Sequence, residues 1–289
     1  MALPYTEAPG HEGDLMTFDT GEPHLSPVLC LHSLFLDPRS FDSLAAAGAG
    51  GRFRFIAPEF LGQAGRLDEA GSTVTMDMCS DDVLALVDRL GLRQVSIIGQ
   101  SMGGDVAVRI ASRRPDLVDK LVLMGSSARG ESVEHLEEFG AFVDMFERDG
   151  FTDEVVEIVK GILFAASVLE DPERQDVHDL WSRRLKELSP KLAHAARGVV
   201  QRESAVALLP QITASTLVIS GTQDHARPPA WSDEMFDAIP NAELWRIKRA
   251  GHSPLIEPPR TSSFLSSSSS CPVVSTVTTG RHRSPPGGG

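Results

Sequence analysis

Cysteine is scarce in this 289-residue chain. There are three, Cys30, Cys79 and Cys271, without CxxC spacing. No disulfide framework is legible, and reduced thiols in a cytoplasmic protein are expected. Positive charge is short as well: 27 Lys and Arg face 40 Asp and Glu, a formal net charge of −13. Such a chain repels phosphates, which argues against nucleic acid and anionic membrane as partners. No stretch approaches 18 consecutive apolar residues, so no membrane span is expected. The opening MALPYTEAPGHEGD lacks a basic region followed by an apolar one, the pattern of a secretory signal.

What is present alternates. PVLCLH (27–32), FRFIAPE (53–59), QVSIIG (94–99), KLVLMGSS (120–127), STLVISG (215–221) and AELWRI (242–247) are short apolar runs, each read as a buried strand. Residues 73–90 carry Met76, Cys79, Val83, Leu86, Val87 and Leu90 at helical spacing, stopped by Gly91. A second helix is expected over Met102 to Arg113, closed by Pro115. Fully apolar strands alternating with helices predict an α/β fold, a parallel sheet covered on both faces.

Residues 129–210 break the rhythm. VEHLEEFGAFVDMFE, VVEIVKGILFAASVL and DVHDLWSRRLKEL each read as one helix, and no strand is apparent. An all-helical insertion between two strands predicts a lid, its charges on solvated outer faces. The expected organisation is a core of 1–128 and 211–259, a helical cap of 129–210, and a tail of 260–289. The tail, RTSSFLSSSSSCPVVSTVTTGRHRSPPGGG, is serine-rich and then Pro/Gly-rich, and is expected to be disordered. Its abrupt onset fits a shifted reading frame or an appended artefact from about Arg260. Sequencing the encoding DNA tests this: an intact frame yielding the same tail overturns it.

The chemistry sits at strand ends. In VSIIGQSMGGDVA (95–107) the pentapeptide G-x-S-x-G follows an apolar strand and opens a helix. That arrangement forces Ser101 into a sharp turn with its hydroxyl clear of the sheet. Bulk at Gly99 or Gly103 would clash. A serine hydroxyl is a poor nucleophile at neutral pH and needs a base, itself oriented by an acid. Asp224 follows the strand STLVISG and His252 follows AELWRI, in the chain order Ser, acid, His. His225, beside Asp224, competes as base, but a base adjacent to its own acid could hardly reach Ser101. Two backbone donors are needed for a developing oxyanion. The Met102 N–H, just after the serine, supplies one, and the Leu34 N–H in the loop HSLFLDPRSF the other.

Taken together, LHSLFLDPRSFD, APEFLGQAGR, GQSMGGDVAVRIASRRPDLVDKLVLMGSS, GTQD and GH resemble the α/β-hydrolase family, serine-nucleophile branch, over about residues 24–258. The early loop and the elbow are similar to those of 3-oxoadipate enol-lactonase-like esterases and lactonases. The resemblance implies an α/β-hydrolase fold with a helical cap. It also implies hydrolysis of a small carboxylic ester or lactone, without metal or organic cofactor. Departures are Ser33 where the family has glycine, Glu59 and Leu61 in place of its Asp-x-Arg-Gly pattern, and a serine run where it closes on a helix. A serine at the elbow disfavours epoxide hydrolase and dehalogenase chemistry, which uses aspartate there. The same triad also serves a cofactor-free perhydrolase, a carbon–carbon bond hydrolase, an acyltransferase or a slow-turnover signal-binding module. The residues leave those readings, the substrate and the oligomeric state open.

Overall fold

The computed structural model describes residues 6–7, 17–21, 23–46, 52–69, 71, 73–257 and 277–282. Six expected strands form where apolar runs end in polar or glycine residues: β3 (Ser26–Leu31), β4 (Phe53–Pro58), β5 (Val95–Gln100), β6 (Val118–Met124), β7 (Ser215–Gly221) and β8 (Ala242–Ile247). They pair in parallel in the order β4-β3-β5-β6-β7-β8. Short β1 (Thr6–Glu7) and β2 (Thr17–Asp19) extend the β4 side antiparallel. At the opposite edge β9 (Val277–His282) pairs antiparallel with β8. The expectation of a tail without structure is therefore corrected at Val277–His282; a free β8 edge offers unpaired backbone groups that six residues of extended chain satisfy. The rest of 260–289 lies outside the described residues.

Side chains alternate across the sheet, as period 2 demands. Leu29, Leu31, Ile97, Leu121, Leu123, Val218 and Leu244 enter one large core. Helices α2 (Met76–Arg89), α3 (Met102–Arg113) and α9 (Pro229–Ala238) supply its other half. Thr75 caps α2, its hydroxyl accepting from the Met78 N–H at 3.1 Å. On the second face the described residues cover part of the sheet. Val28 and Cys30 are buried there beneath Phe41 and Leu44, where a 3-10 turn (Pro38–Phe41) leads into α1 (Asp42–Ala46). Ile98, Val122 and Leu217, farther along that face, stay half-buried.

Between β6 and β7 the described chain is helical: α4 (Val133–Asp149), α5 (Asp153–Leu163), α6 (Ala166–Leu169), α7 (Gln175–Lys186) and α8 (Ala193–Val200). The single helix expected over 155–169 is broken, with Phe164 in extended backbone. Its neighbours are the cause: the backbone of Gly251 lies so close that a β-carbon there would come within 2.3 Å of the Ala165 nitrogen. The segment has its own core of Phe146, Val155, Val159, Leu163 and Trp181. Phe35, from the loop after β3, inserts into it edge-on to Phe142, Phe146 and Phe151, with centroids 6.1–6.5 Å apart. The expected solvated outer faces hold for most of its charges. Lys160 and Arg202 are buried exceptions, as is the side chain of Glu131. No helix among the described residues is long and apolar enough to cross a membrane.

Candidate active site

Ser101 sits between β5 and α3 with φ 51° and ψ −115°, a left-handed conformation that non-glycine residues rarely adopt. Three backbone bonds hold it there: its N–H donates to the Met124 carbonyl at 2.9 Å, and its own carbonyl accepts from Gly104 at 2.8 Å and Asp105 at 3.0 Å. The steric reading of the two flanking glycines is met. A β-carbon on Gly99 would lie 2.6 Å from the Gly103 carbonyl oxygen, and one on Gly103 would lie 2.0 Å from that of Leu31.

Parallel pairing aligns the carboxyl ends of β5, β7 and β8, so the loops after them meet at one edge. Asp224 and His252 are each 3% exposed there. The His252 Nδ1–H donates to both Asp224 oxygens, at 3.0 and 3.1 Å. A carboxylate can only accept, so Nδ1 carries a proton, and in the neutral ring it is Nε2 that keeps the lone pair. Asp224 also accepts from the Arg227 N–H at 2.8 Å, so it ties its own loop as well as the imidazole. His225 is exposed and takes no part in this pair. Ser101 and His252 line one cavity of about 240 Å³, without a hydrogen bond between hydroxyl and ring among the described residues. Such contacts commonly close only around substrate. A larger cleft of about 690 Å³ beside α1 and α7 touches none of the three residues.

Leu34 is half-buried and lines the same cavity, with Ser33 and Phe35. Met102 begins α3, its amide at the helix N-terminus and its side chain in the core, where the Gln63 amide donates to its sulfur at 3.2 Å. His32 anchors the loop that carries Leu34. Its Nδ1–H donates to the Ser33 carbonyl at 2.9 Å, and its Nε2 accepts from the Phe60 N–H at 3.3 Å. The second bond needs the neutral ring, since a protonated Nε2 cannot accept. Burial, opposed by the Ser33 bond and the nearby Asp37, lowers the pKa to about 4.

Four charged residues beside the triad escape sequence reading. Asp105 lies on α3, Glu131 before α4, Arg202 after α8 and Arg227 after β7; Asp105, Arg202 and Arg227 are buried, and so is the side chain of Glu131. One Glu131 oxygen takes Arg202 Nη1 and Arg227 Nη1, each at 2.8 Å. One Asp105 oxygen meets Arg202 Nε and Arg227 Nη2, each at 3.2 Å. Burial disfavours the Glu131 charge, but the two guanidiniums outweigh it and hold the carboxyl below its ordinary range. No spacing announces this cluster, since its members come from four separate segments.

Glu257 was likewise not singled out. Its Oε1 accepts from the Ala165 N–H at 2.7 Å and from the Gly251 N–H at 3.0 Å. Beside it the Ser253 N–H donates to the Leu163 carbonyl at 3.1 Å. The residues before and after His252 are thus fastened to the break between α5 and α6. Burial raises the Glu257 pKa, and the two amide bonds offset part of that.

The family model described as the alpha/beta hydrolase fold matches residues 26–259. Among curated proteins the chain is similar to a 2-hydroxymuconate semialdehyde hydrolase of Pseudomonas sp. (strain CF600), 29% identical over 219 residues and 71% of each chain. It is similar also to a 2-hydroxy-6-oxononadienedioate/2-hydroxy-6-oxononatrienedioate hydrolase of Paraburkholderia xenovorans (strain LB400), 30% identical over 74% of this chain and 73% of that one. Among solved structures it is similar to a thermophilic esterase from Thermogutta terrifontis, with TM-score 0.74 and 29% identity, covering 88% of this chain and 91% of that one. The enol-lactonase from Burkholderia xenovorans LB400 aligns with TM-score 0.73 and 26% identity, over 84% and 90%.

Two outcomes are expected. His32 is neutral in the fold down to about pH 4 and takes a proton near 6.5 when unfolded. The unfolded state therefore binds more protons between those values. Stability from this group is full above 6.5 and falls by about 3 kcal/mol as pH drops to about 4. Urea unfolding of the wild type and His32→Gln, followed from pH 7.5 to 4, measures that difference in slope. Glu257→Ala strands two amides and lowers stability by about 2 kcal/mol. Glu257→Gln keeps an acceptor oxygen and restores most of it, by the same assay.

Proposed function

Because this chain belongs to the alpha/beta-hydrolase family, we propose that it is a serine hydrolase cleaving a small carboxylic ester or lactone through an acyl-enzyme. The observation that carries the reading is Ser101 held in a left-handed turn at a cavity it shares with a His252 already bound to Asp224. Strain of that kind persists where surroundings enforce it, and a turn with no need to expose a hydroxyl has no need of it.

In the proposed reaction Ser101 Oγ attacks the carbonyl carbon while its proton passes to His252 Nε2. Asp224 fixes the ring and stabilises the imidazolium. The Leu34 and Met102 N–H groups receive the oxyanion, each donor worth roughly 10²–10³ in rate. The tetrahedral species collapses, and the leaving alkoxide takes the proton from His252. Water, deprotonated by the same ring, then releases the acid and frees Ser101. The chemistry runs on water and the chain's own groups. Residues 129–210 act as a cap whose apolar side chains roof the acyl group, the core being 1–128 with 211–259.

A second reading is favoured by the similarity to the semialdehyde and oxo-acid hydrolases. The same groups would then cleave a carbon–carbon bond beside a ketone. A panel of p-nitrophenyl esters, lactones and vinylogous diketo acids separates the two.

Ser101→Ala is expected to reduce ester hydrolysis on the order of 10⁶-fold and to abolish labelling by a fluorophosphonate. Mass spectrometry of the labelled wild type is expected to find the adduct on Ser101. Near-wild-type turnover in the variant removes Ser101 as the nucleophile.

A further inference from the structure

We propose that Glu131 makes this site selective for substrates whose acyl part is uncharged, by occupying the guanidinium of Arg227, which borders the cavity. This rests on the ester-hydrolase reading above and names the substrate class of the same cavity.

The cavity wall is mostly apolar, with Phe139, Phe142, Leu163 and Val199 facing its space. Among the described residues, and apart from histidines, the charged side chains that line it are Glu131 and Arg227. A cation in the wall of an ester site is a ready seat for a substrate carboxylate, because guanidinium and carboxylate match in a two-point fork. Here that fork is filled from within. Arg227 Nη1 donates to Glu131 at 2.8 Å and Nη2 to Asp105 at 3.2 Å. Arg202, buried behind, shares both carboxylates. Two cations and two anions, each side chain at most 5% exposed, close into a neutral set.

An incoming carboxylate therefore meets both outer nitrogens of Arg227 engaged. It also meets Glu131, a like charge at short range. Discrimination of this kind works by repulsion of the wrong substrate as much as by attraction of the right one. Asp105 contributes to the balance, but it lies beneath the wall and does not line the cavity. Glu131 is the member that a substrate would touch. Its second oxygen faces His135 Nδ1 at 3.3 Å, on the exposed side of α4. With Glu131 made neutral, the set carries one surplus positive charge, centred on Arg202 and Arg227, and Arg227 borders the cavity.

The test compares two esters that differ only at the far end of the acyl chain, p-nitrophenyl butyrate and p-nitrophenyl hemisuccinate. The wild type is expected to favour butyrate in kcat/KM by about 30-fold or more, the scale of a like-charge clash. In Glu131→Gln the ratio is expected to fall at least tenfold through a lower KM for hemisuccinate. In the double variant Glu131→Gln with Arg227→Met, the preference for butyrate is expected to return. A ratio unmoved by Glu131→Gln overturns the proposal. Should that variant fail to fold, the wild type still decides: equal rates, or a preference for hemisuccinate, overturn it. Failure of the wild type to turn over either ester or to take a fluorophosphonate on Ser101 is a separate result, and it overturns the reading of the site as a serine esterase.

Discussion

Gly103 lies so near Leu31 that a methyl group in place of its hydrogen would stand 2.0 Å from a carbonyl oxygen. Much of the site depends on that approach. It lets the first turn of α3 press against the end of β3, which brings the turn at Ser101 beside the loop that starts at His32. Ser101 of one and Leu34 of the other then border a common cavity. Separated by the thickness of one side chain, the two loops could not serve one carbonyl group in the way proposed. The left-handed Ser101 is the local strain that the contact imposes, and the bonds from Ser101 to Met124, Gly104 and Asp105 hold it in place.

The features legible in the sequence are the ones written locally. Each of the six inner strands is a short apolar run ended by polar residues or glycine, and the polypeptide needs nothing distant to declare it. Ser101, Asp224 and His252 are legible for the same reason, each lying within a few residues of such an end. The break in the helix over 155–169 is illegible because its cause lies about ninety residues away, in Gly251 and Glu257. The set of Asp105, Glu131, Arg202 and Arg227 is more hidden still. On a helical insertion, acidic and basic residues read as solvent-facing, and only the tertiary approach of four segments turns two of them inward.

The two polar anchors have different electrostatic characters. His32 works by staying neutral, since a proton would remove the acceptor that holds the Phe60 amide. The network around Glu131 works by staying charged, since each carboxylate is the counterion of two guanidiniums. Burying charges is unfavourable unless they are paired, and a pair broken on one side is more costly than none. Such a wall is hard to alter by one substitution without consequence, which ties its stability to the selectivity proposed for it.

Two links between the His252 loop and the helical segment run through main-chain atoms on the segment's side, the Ala165 amide and the Leu163 carbonyl, and a third through the Ser167 hydroxyl, which donates to the Arg249 carbonyl at 3.2 Å. The first two do not depend on which side chains those helices carry. Most side chains of the helical segment can therefore change while these main-chain links keep the His252 loop in its seat. A fold wired in this way can vary the helices above without moving the imidazole below.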